Sequence, residues 1–358
     1  MEKDGRHNGI DVLKIIATIF VVVLHVNGFL SDTIPLGQFS LSTNVLYHIS
    51  EAVAYPAIHL FVMVTAYFTI EKGTNKKTII TIWSQTFIIC IIGLVLAVIL
   101  KVPFGIKELI RSLFPFSGRA YWYVSDYIVL MLIAPILNKL IRNISIKELR
   151  YLILVMFGIV SFGPAFLSFL GWNQNYSNIG LFIFLYFIVA GMKKDTNIFS
   201  RIKGGGILWV ISVMCLVGTW IVLYILGNIG ISGCVGKEMF FYQYWSPFVI
   251  MEAIGLFKIY SEKEITIING VIKKLLFTVA NASLIVYLVH MHPIFKINYV
   301  KWGGLSGIDV NNILVFIFEL LLIVIIIFIS GIICSIPVVK LAGIMSKKII
   351  VVINKKGN

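Results

Sequence analysis

Ten mostly apolar stretches run through the chain from end to end, each parted from the next by a short polar segment: residues 10–30, 53–70, 79–100, 122–141, 151–170, 178–192, 206–227, 240–260, 272–295 and 312–335. A helix rising 1.5 Å per residue needs about twenty apolar residues to cross the hydrocarbon core of a bilayer. No alternation of apolar and polar residues suggests a barrel, and open sheet edges are forbidden in lipid. The pattern therefore predicts an all-α, polytopic membrane helix bundle of about ten transmembrane helices, the second and sixth being short. The longest polar connections, Ser31 to Ala52 and Met291 to Asn311, hold only about twenty residues each, so no segment is left for a soluble catalytic domain. Residues 1–340 are read as one transmembrane domain and 341–358 as a basic cytoplasmic tail.

Composition agrees, with 59% hydrophobic and 13% charged residues, where a soluble domain carries about 25% charged residues. The net charge of +14 does not point to nucleic acid, because the cations sit in short clusters between apolar runs. That distribution encodes topology. With the N-terminus inside, the cytoplasmic segments hold 22 lysines and arginines and the outer segments seven, so both termini are expected in the cytoplasm. The connection 101–121 departs from this trend, with Lys101, Lys107, Arg111 and Arg119 on the outer side. It binds something anionic, folds back into the membrane, or simply carries tolerated outer cations. The first run follows Lys3 and Arg6 but contains Asp11 and Lys14 and lacks a small-residue cleavage site, so it is read as a retained helix. Cys90, Cys215, Cys234 and Cys334 show no CxxC spacing, and neither a disulfide nor a metal site is inferred from them.

Ionisable residues inside a span are functional candidates because burying them in lipid costs several kcal/mol. The first span carries Asp11, Lys14 and His25. At about 100° per residue, Lys14 and His25 fall only about 20° out of phase, with Thr18 and Asp11 on the same face. Along the axis, Lys14 and His25 lie about 16 Å apart. Asp11 and Lys14 are either part of this stripe or snorkel to the nearby interface. His25 either works chemically or hydrogen-bonds a neighbouring helix.

The segment from Ile10-Asp11-Val12-Leu13-Lys14 to Val22-Val23-Leu24-His25 resembles the opening of the acyltransferase family 3 membrane proteins. Three further segments are similar to that family in order: His59 to Phe68, containing Thr65-Ala66-Tyr67; Tyr121-Trp122-Tyr123-Val124 with Ala134-Pro135; and Ser283 to Pro293, containing Tyr287-Leu288-Val289-His290. Lys14 stands where the family has arginine, which keeps the charge but loses the planar fork. Thr65-Ala66 replaces Ser-Gly, and Lys76 and Lys77 stand where arginines are frequent.

The resemblance implies a bacterial plasma-membrane acyltransferase. It would move an acetyl or other short acyl group from cytoplasmic acyl-CoA, acetyl-CoA in the usual case, to a cell-envelope polysaccharide or glycolipid. The coenzyme is then a donor substrate, and no bound cofactor or metal is expected. Lys14, Lys76 and Lys77 are expected to hold the donor phosphates, and His25 to act as general base or transient acyl carrier, since histidine titrates near neutral pH. Asp126, Glu252 and Glu319 are candidates for orienting His25; Asp126 alternatively faces water. His290 is expected on the acceptor side, and Trp122 as an interfacial or sugar-stacking residue, with Asp11 beside Lys14. The competing reading is a transporter or flippase of an envelope lipid or small solute, which composition alone fits equally well.

Overall fold

Apolar periodicity becomes helix throughout. The computed structural model describes residues 7–168, 178–195, 204–263, 265–296 and 307–356, all helix or connecting turn. Lys3, Arg6, Arg201, Lys203 and Lys301, counted above for topology, lie outside them. The helices are α1 (Asn8–Thr33), α2 (Leu41–Ala54), α3 (Ala57–Lys72), α4 (Lys76–Ile99), α5 (Ile106–Leu113) and α6 (Trp122–Asn143). They continue with α7 (Ile146–Phe157, prolonged through a π-turn to Phe166), α8 (Asn178–Lys194), α9 (Gly205–Asn228), α10 (Pro247–Glu262), α11 (Gly270–His290) and α12 (Ile313–Lys356). Among the described residues, eight helical segments are long and apolar enough to cross a membrane. The expected runs 178–192 and 240–260 fold as α8 and α10, apolar helices of 17 and 16 residues that fall short of that length.

Local chemistry sets the helix ends. Asn75 caps α4 by accepting a hydrogen bond from the Lys77 N–H at 2.8 Å, just after Gly73 closes α3 at φ 74°. Ser145 and Glu148 form a reciprocal capping box at the start of α7. The Lys194 ammonium donates to the carbonyls of Ile141 (2.7 Å) and Ile144 (2.5 Å), closing the end of α6.

Three features differ from the hydropathy reading. The expected polar connection from Ser31 to Ala52 is mostly helix: α1 runs to Thr33, and α2 joins α3 through Pro56 in a segment counted as one 32-residue span. The polar residues that mask α2 in the sequence, Thr43, His48 and Glu51, are buried in protein. The run 312–335 and the tail expected from 341 belong to one 44-residue helix, α12, about 66 Å long by helical rise. Its Ile326, Ile329 and Ile333 are at least half exposed, as a lipid-facing surface requires.

The connection 101–121 folds back along α4. Phe116 stacks on Trp83 with ring centroids 6.4 Å apart, sixteen positions before the end of α4, or about 24 Å down its axis. With Ile79, Ile80, Ser125 and Ile349 these rings line an open apolar groove of about 620 Å³. The connection thus packs back against α4 instead of extending away from it. Arg119 donates to both Asp126 oxygens at 3.2 and 3.3 Å.

The chain divides into two compact units. One comprises the chain up to Leu24, Asn44–Gly73 and Ala134–Ala280; here α3 packs on α8 and α10, α7 on α8, and α9 on α10. The α9–α10 contact is closest at Gly205 and Gly255, where a methyl group on Gly205 would lie 2.5 Å from the Gly255 carbonyl oxygen. The other comprises His25–Thr43, Thr74–Ile133 and Asn281–Asn358, with α4 packed on α5 and α12. The continuous helix α1 contributes its first two thirds to one unit and the turns from His25 onward to the other.

Candidate active site

His25 is half-buried on α1 and meets the last turn of α11 in its own unit. Its Nδ1 lies 2.9 Å from Nε2 of His290. Nδ1 of His290 lies 2.6 Å from the carbonyl oxygen of Val286, one turn back along α11. These two contacts fix the proton positions of the neutral pair. A carbonyl only accepts, so His290 Nδ1 carries the hydrogen and donates it to Val286. Nε2 of His290 is then a bare lone pair and accepts from His25 Nδ1–H. The remaining nitrogen of His25, Nε2, is left with its own lone pair as a proton acceptor.

Packing holds this relay in place. Tyr287 stacks on the His25 ring (6.0 Å, 28°) and meets the rings of Tyr121 and Tyr123 edge-on at 5.7 and 6.0 Å. Tyr121 is fully buried and donates its hydroxyl hydrogen to the Leu288 carbonyl at 2.8 Å. Gly331 of α12 presses on Val286, the residue whose carbonyl orients His290: a methyl group there would sit 2.7 Å from the Val286 Cα. His292 packs its ring over Gly93 of α4, where a methyl group would be 2.1 Å away.

The acids considered as partners of His25 are engaged elsewhere. Asp126 is held by Arg119, and Glu252 accepts from the Trp209 indole at 3.1 Å. Glu319 accepts from the backbone N–H of Asp309 at 3.0 Å. The group facing His25 is a second histidine. Trp122 lies two rings from His25, behind Tyr287 and Tyr123, edge-on to Tyr123 at 6.2 Å.

A family model described as an acyltransferase domain matches residues 7–338, a range within which the His25 turn, Tyr121, Tyr123 and the Tyr287–His290 segment meet in one place. The chain belongs to acyltransferase family 3. No curated protein and no solved structure matches it. As a family 3 member it is a membrane-bound acyltransferase.

The acyltransferase places Lys14 and Asp11 in the unit that excludes His25. Asp11 is buried rather than snorkelled, 3.8 Å from the Lys14 ammonium. Lys14 also lies 5.7 Å from the centre of the Phe68 ring, and Lys72 lies 5.6 Å from the same ring. On the neighbouring Tyr67 ring sits the Lys193 ammonium, 3.6 Å from its centre and paired with Glu71. Lys72 and Lys193 entered the sequence reading only as topology markers; the signal was there in the aromatic pair Tyr67-Phe68 preceding Lys72 by one turn. Lys76 and Lys77 are exposed on the first turn of α4, in the unit that holds His25.

Proposed function

We propose that this acyltransferase moves an acetyl or other short acyl group from cytoplasmic acyl-CoA to a hydroxyl of a cell-envelope polysaccharide or glycolipid, at the bacterial plasma membrane. The observation carrying the reading is the His25–His290–Val286 relay, which leaves His25 Nε2 unprotonated. In the proposed step, His25 Nε2 takes the hydrogen of the acceptor hydroxyl as its oxygen attacks the thioester carbonyl. The carbon–sulfur bond then breaks, and the proton passes from Nε2 to the departing thiolate. The products are the acyl ester and free coenzyme A, with no proton gained or lost.

The cation bias of the connections supports cytoplasmic termini and hence Lys14 on the cytoplasmic side. Ammonium groups beside an aromatic ring suit the nucleotide end of coenzyme A, with phosphate against Lys14 and Lys72, and with Lys76 and Lys77 as further cations on the same proposed face. The rise of about 16 Å from Lys14 to His25 along α1 is comparable to an extended pantetheine arm. His25→Ala, with the protein folded and inserted, is expected to abolish transfer of radiolabelled acetyl groups from acetyl-CoA to envelope extract. Full activity in that variant would reject the assignment.

A further inference from the structure

The first unit contains a second polar cluster that takes no part in the relay. The Trp220 ring of α9 stacks on His48 of α2 with centroids 4.2 Å apart. From His48 the rings continue to Tyr242 at 6.2 Å, Tyr55 at 6.0 Å, Tyr244 at 5.6 Å and His59 at 6.1 Å. Tyr242 O–H donates to the His48 carbonyl at 3.3 Å, and His59 Nε2–H donates to the Tyr244 carbonyl at 2.8 Å. Glu51 lies within electrostatic reach of Tyr55, Tyr242 and Tyr244, and Glu252 within reach of Tyr242. His48, His59, Trp220 and Tyr242 are buried, whereas Tyr55 and Tyr244 keep partial exposure.

Five polar atoms of this region are buried without a hydrogen-bond partner: His48 Nδ1, His59 Nδ1, Trp220 Nε1, Ser246 Oγ and Glu252 Oε2. Each such atom costs about 1–3 kcal/mol if it stays unpaired. Their chemistry is mixed. The indole N–H only donates; His59 Nδ1 accepts, since Nε2 holds the hydrogen; Glu252 Oε2, beside an Oε1 that accepts from Trp209, accepts as a carboxylate and donates as a carboxylic acid. A metal cation would satisfy the acceptors and repel the donor, and an anion the reverse. Hydroxyl groups satisfy both, and a ring carrying several hydroxyls about an apolar C–H face also suits stacked aromatic side chains.

We propose that this aromatic chain, from Trp220 and His48 to Tyr244 and His59, binds a sugar residue of the carbohydrate acceptor. The inference rests on the carbohydrate reading above and deepens it. His59 lies thirteen positions before Lys72, about 20 Å along α3. In the proposed orientation that is the outer side, where an envelope glycan is presented.

Initial rates with radiolabelled acetyl-CoA and a soluble envelope glycan fraction test the site. Trp220→Phe removes the indole donor, and Glu252→Gln replaces the carboxyl group by an amide of nearly equal volume. Both variants are expected to raise the apparent KM for glycan at least tenfold, with KM for acetyl-CoA unchanged within twofold. Unchanged glycan KM in both folded variants would overturn the site and leave water as the occupant of the orphan atoms, with the acyltransferase reading intact. A separate binding measurement uses His25→Ala, which is expected to perform no transfer, and follows quenching of its tryptophan fluorescence by the same glycan, chitopentaose and cellopentaose. Saturable quenching that is lost in His25→Ala/Glu252→Gln supports the sugar site even if the wild-type protein acylates no carbohydrate. No quenching by any of the three, together with unchanged KM, refutes it.

Discussion

Replacing His290 tests the relay most directly, because the residue touches His25 but is not the proposed base. With His290 present, the His25 Nδ1 hydrogen has an acceptor 2.9 Å away, and Nε2 stays bare. In His290→Ala that hydrogen points at no acceptor in mostly apolar surroundings, a penalty of about 1–3 kcal/mol. The ring avoids the penalty by carrying its hydrogen on Nε2, and in that tautomer it cannot take a proton from an acceptor hydroxyl. At about 1.4 kcal/mol per factor of ten, the reactive tautomer falls roughly 10- to 100-fold, and kcat with it. KM for acetyl-CoA should not move. His290 is buried, so truncation also leaves a cavity; His290→Gln controls for this, since its amide oxygen can accept from Nδ1 at nearly the same place. The expected order of kcat in detergent-solubilised protein is wild type, then His290→Gln within about tenfold, then His290→Ala. A folded His290→Ala protein with kcat within threefold of wild type would refute the tautomer argument.

Other substitutions probe the remaining geometry. Lys14→Ala is expected to raise KM for acetyl-CoA about fivefold or more with kcat little altered, and Lys14→Arg to preserve it, since charge and hydrogen-bond donors are kept; an unchanged KM in Lys14→Ala counts against a phosphate role. Gly205→Ala places a methyl group 2.5 Å from the Gly255 carbonyl oxygen, whereas one on Gly206 meets its nearest neighbour at 4.0 Å. The first should lower the unfolding midpoint by an amount equivalent to about 1–3 kcal/mol and Gly206→Ala by much less, and equal effects would dismiss the close α9–α10 approach. For orientation, a cysteine introduced at Lys348 should react with an impermeant maleimide only in opened vesicles, and one at Lys237 in intact cells. The reverse pattern would invert the topology.

Much of the bundle is legible in the sequence because apolar length speaks for itself: α1, α4, α6, α9 and α11 lie within a few residues of the hydropathy runs. The reading fails where polarity serves the interior. Thr43, His48 and Glu51 make α2 look like a loop, yet they are buried. The basic residues of 101–121 look like an outer segment, whereas Phe116 returns to Trp83 and Arg119 is held by Asp126. At the site, the stripe on α1 is visible as helical phase, but the partner of His25 lies 265 positions away. Neither local spacing nor charge announces a neutral imidazole. The acids drew attention because a carboxylate is the familiar orienting group, and each is occupied with another partner.

A neutral partner is the physically sensible choice at this depth. A carboxylate beside His25 would bring a charge into surroundings where uncompensated ions cost several kcal/mol and where the pair must be completed by further hydrogen bonds. Two imidazoles ending on a backbone carbonyl control the tautomer with no net charge. The control then depends on position rather than on electrostatic strength: Val286 must present its oxygen 2.6 Å from His290, and His290 its lone pair 2.9 Å from His25. That places unusual demands on the packing behind α11. Gly331 lets α12 close directly onto Val286, and Tyr121, buried against the Leu288 carbonyl, braces the same turn two residues on. Proton placement at His25 is thus set by how tightly two membrane helices pack, because the last acceptor in the relay belongs to the backbone and moves only when the helix does.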